Sequence, residues 1–307
     1  MSDKPQLPGH IQAAIDRNLA RQNRDAFGHP TDSAGQTWRG RDLGGTGING
    51  SSNPLHAFDT DDGLEDEAWS KVSQDLIDGN ANEKDVFAVL AKIRVFAAVV
   101  PTVAETTQQV HVDNDGKEYT VESDKEADVA LVSLESADGR GALPVFTSIP
   151  KLTAWHKGAR PVAVWMPRAC LSAVDEGNEL VVIDPGAYLT YVVRRPEVYA
   201  LAQQQNWTPS YEDTEIAHQL GELTDLVPGL AQLALAPGRG VATQTEDGQV
   251  ISGGGAGPEL ALVATPTDPK DTVGHKLMLT TLRALIADQE LLAQRADTVE
   301  IVLGTAS

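Results

Sequence analysis

Apolar side chains along this chain switch repeatedly between helical and extended spacing. Ile11, Ile15 and Leu19 recur every four residues, which predicts a short amphipathic helix that is marginal in isolation. Trp69, Val72 and Leu76 stand at helical spacing behind the acidic run Asp59–Glu67. A helix is expected to enter there, its first-turn carboxylates opposing the positive end of the macrodipole. Asn82, with Asp85 three residues on, opens another helix that carries Val86, Phe87 and Leu90 on one face, and the β-prone run Ile93–Val103 follows it. Val110–Val121 reads as a hairpin about Asn114-Asp115-Gly116, and Val129–Leu134, Ala142–Thr147 and Pro161–Met166 read as strands. A short helix with Leu152 and Trp155 separates the last two. Leu171–Val174 belongs to a further short helix ahead of the strand Leu180–Ile183. Tyr188–Val193 continues the sheet, and Pro196 sits in the first turn of a helix that reaches Gln204.

The pattern restarts after Trp207 with a helix over Thr214–Leu223, a strand over Ala231–Leu235 and a Gly-rich excursion over Pro237–Gly257 holding a hairpin at Glu246-Asp247-Gly248. Leu260–Ala264 is a strand. Asp268 and Pro269 supply N-cap and N1 positions for a helix whose Met278, Leu282, Leu285 and Ile286 form a buried stripe, and Val299–Leu303 closes as a strand. Helices and strands in this order predict an α+β fold, a mixed sheet flanked by helices, rather than regular βαβ alternation. We divide the chain into a flexible N-terminal arm (1–58), a main domain (59–206) and a smaller C-terminal α+β unit (207–307).

Charge sharpens that division. The chain of 307 residues has a formal charge of −20. Residues 1–58 hold Lys4 and five Arg against five Asp, a net of +1, which leaves −21 on the remainder. An acidic body repels phosphate backbones and anionic lipid, so neither a nucleic acid nor a membrane is expected as partner. The arm is expected to lie along its own acidic body or to stay disordered, and the alternative is a docking peptide for an acidic partner. The single cysteine, Cys170, excludes an internal disulfide, and the N-terminus lacks a basic-then-apolar leader, so a cytoplasmic address is expected.

Local motifs do not assemble a reaction. Gly45-Thr46-Gly47-Ile48-Asn49-Gly50 spells the dinucleotide fingerprint, but the residues around it form neither the feeding strand nor the receiving helix. Gly253-Gly254-Gly255-Ala256-Gly257 runs into Pro258-Glu259 and not into the Lys of a phosphate-binding loop. Register excludes an EF-hand from the acidic run, because Phe58 and Trp69 would occupy loop positions that need carboxylates. The seven histidines form no pair four residues apart, and Cys170 sits at an apolar helix position that makes an inert thiol. No metal and no cofactor are expected.

Ala142-Leu143-Pro144-Val145-Phe146-Thr147-Ser148, followed by Leu152 and Trp155, and then Val181-Val182-Ile183-Asp184-Pro185-Gly186, resemble the SseB family, whose N-terminal domain carries an "lPvFTS…L…W" strand-helix unit and a later "hxhNPG" turn. Asp184 stands where the family shows Asn. Asn53-Pro54-Leu55-His56-Ala57-Phe58-Asp59-Thr60-Asp61-Asp62-Gly63 is similar to the "NPFxxDDG" entry of actinobacterial members, and Arg94–Pro101 to a strand ending in Val-Pro. The resemblance covers about 53–206 by motif and 207–305 by pattern alone. It implies a protein named for a serine-sensitivity phenotype, with no accepted catalytic activity. A non-enzymatic binding or regulatory protein acting through an unidentified protein partner is therefore expected. The alternative is a small-metabolite regulator holding an amino acid beside Thr147, Ser148, Trp155, Asp184 and Gly186, where a strand end and a helix N-terminus would expose hydroxyls and amides. A helix cap at Ser148 and a core Trp155 explain the same residues more simply. An enzyme with a site assembled from distant segments is the remaining reading.

Overall fold

The computed structural model describes residues 58, 61–102, 109–112, 118–121, 128–136 and 138–305, with side chains described outside 101–130. The expected helix at 11–19, the Gly45–Gly50 motif and the turn at 114–116 lie outside the described residues. Asp62–Ser307 is one unit, and every element below belongs to it.

The chain enters through α1 (Glu67–Ile77), capped by Asp66, whose carboxylate accepts from the Ala68 N–H at 2.8 Å. This is the helix-entry role expected of the acidic run. Next, α2 (Glu83–Leu90) starts with a reciprocal cap in which the Asn82 side chain accepts from the Lys84 and Asp85 N–H groups while Asp85 accepts from the Asn82 N–H at 2.9 Å. Such a cap is worth about 1 kcal/mol.

A seven-stranded mixed sheet follows. Its path is β4 (Asp128–Leu131), β1 (Arg94–Thr102), β6 (Gly141–Phe146), β8 (Leu180–Ile183) and β9 (Tyr191–Val193), with β5 (Leu134–Glu135) beside β6 and β7 (Arg160–Trp165) beside β1. All pairings are antiparallel except β6 with β8, which run parallel in the register Ala142↔Leu180 to Val145↔Ile183. β2 (Gln109–Val112) and β3 (Glu118–Val121) form the expected hairpin pairing as a separate ribbon. Crossing from β6 to β8, the chain passes through α3 (Ile149–Trp155), β7 and α4 (Met166–Asp175), and it leaves β9 into α5 (Arg195–Ala202). Trp69, Val72 and Leu76 of α1 and Val86 and Leu90 of α2 pack with Val145, Val181 and Ile183 in the main core. Each such side chain contributes roughly 1.5–3 kcal/mol through burial.

Beyond α5, a short 3-10 turn (Ser210–Glu212) and α6 (Thr214–Gly221) lead to a second sheet. Here β10 (Leu230–Pro237) is antiparallel to β13 (Leu260–Pro266), which is parallel to β14 (Val299–Leu303). Two helices, α7 (Thr272–Ala287) and α8 (Glu290–Arg295), connect the last two strands. β11 (Ala242–Gln244) and β12 (Val250–Gly254) form the hairpin expected around Glu246-Asp247-Gly248. The α+β class with mixed sheets is thus the observed one.

Several boundaries differ from expectation: the run Val129–Leu134, expected as one strand, is divided between β4, which pairs with β1, and β5, which pairs with β6. The N-cap of α7 is Asp271, whose carboxylate accepts from the Val273 and Gly274 N–H groups, while Asp268 closes a turn on the Lys270 N–H. α4 begins at Met166, with Pro167 in its first turn, so Met166 belongs to the helix and not to the preceding strand. β9 begins only at Tyr191, since residues 184–190 are spent on a turn. Among the described residues, no helix is long and apolar enough to cross a membrane.

Candidate functional site

Parallel strands end at the same edge of a sheet, so the residues after β6 and β8 meet. Thr147 follows β6 and Asp184 follows β8. The Asp184 carboxylate accepts from the Thr147 N–H at 2.7 Å and, through its other oxygen, from the Thr147 hydroxyl at 2.6 Å. Lys151, one turn into α3, donates to that second oxygen at 2.8 Å, to the Thr147 hydroxyl oxygen at 3.0 Å and to Glu65 at 3.0 Å. Arg94 donates to the Thr147 carbonyl at 2.7 Å and to the Leu64 carbonyl, with its guanidinium 4.3 Å from the centre of the Phe96 ring. Asp184 is 1 % exposed, and charged hydrogen bonds of this kind are the means by which a buried carboxylate is held.

The turn after Asp184 explains the choice of residues there. Asp184 has φ 51° and Gly186 φ 77°, a left-handed region that Asp, Asn and Gly enter at least cost. The Thr190 hydroxyl donates to the Asp184 carbonyl and accepts from the Gly186 N–H, both at 3.2 Å. An Asn here would keep the turn and one accepting oxygen, but it would put an NH2, which cannot accept, where the second carboxylate oxygen takes the Thr147 hydroxyl and Lys151.

Five residues were expected to form a ligand cradle. The structure brings Thr147, Ser148 and Asp184 to one strand-end edge, with Gly186 in the adjoining turn. The Thr147 and Ser148 hydroxyls are buried rather than solvent-facing. Thr147 is occupied as above, and Ser148 caps α3 by accepting from the Lys151 N–H at 3.4 Å, with Pro150 in the first turn. Trp155 is half-buried against Phe146, ring centres 5.2 Å apart, in a small core with Leu152. This set of groups locks two strand ends and a helix start together.

Sequence reasoning missed a second polar cluster, its side chains buried except for that of Tyr211, which is half-buried. Glu83 accepts from Arg194 at 3.1 Å, from the Gly254 N–H at 3.0 Å and from the Tyr211 hydroxyl at 2.7 Å. Arg194 also donates to the Gly240 carbonyl at 2.9 Å. Glu259 accepts from the Ser210 N–H at 3.2 Å and the Asp297 N–H at 2.7 Å. Glu197, within electrostatic range of Glu83, Arg194 and Glu259, leaves one carboxyl oxygen without a partner, as do the Tyr191 hydroxyl and Ser210 hydroxyl. Burial first, and then repulsion from Glu83, pushes the Glu197 carboxyl well above its ordinary value. Burial likewise raises Glu259 despite its backbone donors. The only local signal of this cluster is Arg194 directly after the apolar strand Tyr191–Val193.

The Cys170 thiol is buried, and burial followed by the Glu197 charge raises its proton affinity, the setting of an unreactive thiol. Among the described residues, no group of His, Cys, Asp and Glu is arranged to hold a metal ion.

Comparison with curated proteins and with solved structures gives no match. Residues 73–200, which run from α1 through the whole seven-stranded sheet to α5, match the SseB protein N-terminal domain. The strand-helix unit at Thr147–Trp155 and the Asp184–Gly186 turn both fall inside that match, and the chain carries an SseB N-terminal domain over these residues.

Proposed function

We propose that this chain is a non-catalytic binding or regulatory protein of the cytoplasm that acts through contact with another protein. The observation that carries the reading is a second apolar stripe on α7. Met278 and Leu282 are fully buried, whereas Val273 and Leu277, one turn apart, are 77 % and 60 % exposed. At about 100° per residue the two stripes are centred about 140° apart. A helix that already fills its core and carries another apolar stripe in water presents a surface for a partner.

The chemistry inside the protein supports the same reading. Glu197, Glu259 and Cys170, whose proton affinities burial raises, are enclosed in the core. The Thr147, Ser148 and Asp184 groups that would hold an amino acid are engaged with one another and with Lys151. The charge contrast between the basic arm and the acidic body adds a further means of partner selection.

The test is affinity purification from the native host after in-cell crosslinking. Three forms are compared: the full chain, a chain lacking residues 1–58, and the Val273→Glu/Leu277→Glu variant. One protein should be recovered in stoichiometric amount with the full chain and fall about tenfold with the stripe variant, as loss of roughly 1.4 kcal/mol requires. Dependence on residues 1–58 would assign the arm to the same contact. Equal recovery with the full chain and the stripe variant, or no partner at all, overturns the proposal.

A further inference from the structure

A cleft of about 760 Å³ lies between α5 and α8, closed on a third side by the 205–208 loop. Its size is that of a small-ligand or peptide site. The two guanidinium groups in its wall are already held, and of its carboxylates only Glu290 has no ionic partner among the described residues. Arg195 donates to the Ala293 and Ala296 carbonyls at 3.1 and 2.8 Å. Arg295 donates to Asp213 at 3.1 Å and lies 2.7 Å from Glu215, and Glu290 accepts from Gln294 at 3.1 Å. A ligand bearing a free carboxylate or phosphate would have to break one of the Arg195 or Arg295 bonds or stay unpaired, which a binding site penalises, and one bearing an ammonium would meet only the exposed Glu290 carboxylate that Gln294 already holds.

What remains available in the cleft is neutral. The Gln203, Gln205 and Asn206 amides and the Thr208 hydroxyl line it, and none of them bonds to another described residue. Each amide both donates and accepts, the requirement for pairing with a peptide backbone. Beside them stand Tyr199, 45 % exposed, and Trp207, whose ring is fixed against Phe87 at a centroid distance of 5.6 Å. Trp207 also keeps its indole N–H buried with no acceptor from the protein. Rigid aromatic rings next to a run of amides take up an extended chain with small apolar side chains, proline foremost, at low entropic cost.

We propose that this cleft docks an uncharged, extended peptide segment of another protein. Tyr199 and Trp207 receive its apolar side chains, and the Gln203, Gln205 and Asn206 amides pair with its backbone. The site stands on residues apart from the α7 stripe, so either can fail while the other holds.

The experiment uses the full chain, ¹⁵N-labelled, titrated with an acetylated and amidated octapeptide of alternating proline and alanine. Peptides of alternating proline with lysine or with glutamate, free L-alanine and maltotriose serve as comparison probes. The neutral peptide should shift the Trp207 indole and the Gln203, Gln205 and Asn206 side-chain amide signals, saturating with a Kd below about 1 mM. Tyr199→Ala should weaken binding about tenfold with an unchanged melting temperature, since the ring is half in solvent, and Tyr199→Phe should bind as the parent does. Absent shifts, stronger response to a charged peptide, saturation by maltotriose or free alanine alone, or full binding by Tyr199→Ala each overturns the proposal.

Discussion

Replacing Glu197 with Gln should change how stability depends on pH. Three carboxyl groups, Glu83, Glu197 and Glu259, are buried around one buried guanidinium, Arg194. Glu83 has donors on both oxygens, two from protein N–H groups or guanidinium and one from a phenol. Glu259 has backbone donors on both. Glu197 has an unpartnered oxygen, so the proton that relieves the excess charge belongs there. Its folded value is raised by burial first and by Glu83 second, against the opposing pull of Arg194.

The sign follows from proton counting. Above the ordinary glutamate value the unfolded chain has lost this proton while the folded chain keeps it. The stability contribution is therefore full below the unfolded value and is lost as pH rises through the folded one. Between the two values the loss is roughly 1.4 kcal/mol per pH unit for one proton. Glu259, shifted in the same direction, adds to the trend and stays in place in the variant. Urea unfolding at pH 5, 6 and 7 at fixed ionic strength measures it. The parent should lose stability with rising pH more steeply than Glu197→Gln by about that amount per unit. Any cost of burying the new amide enters as a pH-independent offset. Parallel stability curves for the two proteins would refute the assignment of the proton to Glu197.

Asp184→Ala removes the acceptor for the Thr147 N–H, the Thr147 hydroxyl and Lys151 together; it should cost about 2–4 kcal/mol in urea unfolding, and a loss under about 1 kcal/mol would show that the node does not lock the strand ends. Gly254→Ala combines φ 71° with a new methyl 2.3 Å from the Tyr191 ring, so it should cost about 2–4 kcal/mol, whereas Gly79→Ala, at φ 74° with open space around it, should cost only about 1 kcal/mol; paired thermal melts compare them.

Legibility in the sequence tracked the distance between interacting residues. The Asn82 cap, the Ser148 cap, the Glu246–Gly248 hairpin and the apolar faces of α1 and α2 each depend on neighbours within a few positions, and each stands as expected. Thr147 and Asp184 were both singled out, but their pairing was not, because it depends on β6 and β8 lying parallel and ending at one edge. Lys151 then reaches back from α3 to fill the space an anionic ligand would need, something no spacing rule announces. Asp268 and Asp271 satisfy the same capping pattern; the choice of Asp271 rests on which carboxylate reaches two free helix N–H groups. The Glu83–Arg194 pair spans 111 residues and the Glu83–Tyr211 bond 128. At that range Glu83 looks like any first-turn acid.

The position of this cluster relative to the family boundary bears on how the domain is completed. Glu83, Tyr191, Arg194 and Glu197 lie within the matched residues 73–200, whereas Tyr211, Gly240, Gly254 and Glu259 lie beyond them. The hairpin formed by β11 and β12 reinforces the connection: Leu189 bridges to Thr245, the Glu246 N–H donates to the Tyr188 carbonyl at 2.9 Å, and Thr243 donates to the Thr190 carbonyl at 3.3 Å. Without the later residues, Glu83 and Arg194 would keep each other and lose the rest, at about 1–3 kcal/mol for each buried donor or acceptor left unmatched. A buried ion pair contributes little net stability. Here the pair is also where the final hundred or so residues are tied to the preceding chain, through Tyr211, the Gly240 carbonyl and the Gly254 N–H. The polar core of the SseB segment is therefore completed by the chain that follows it.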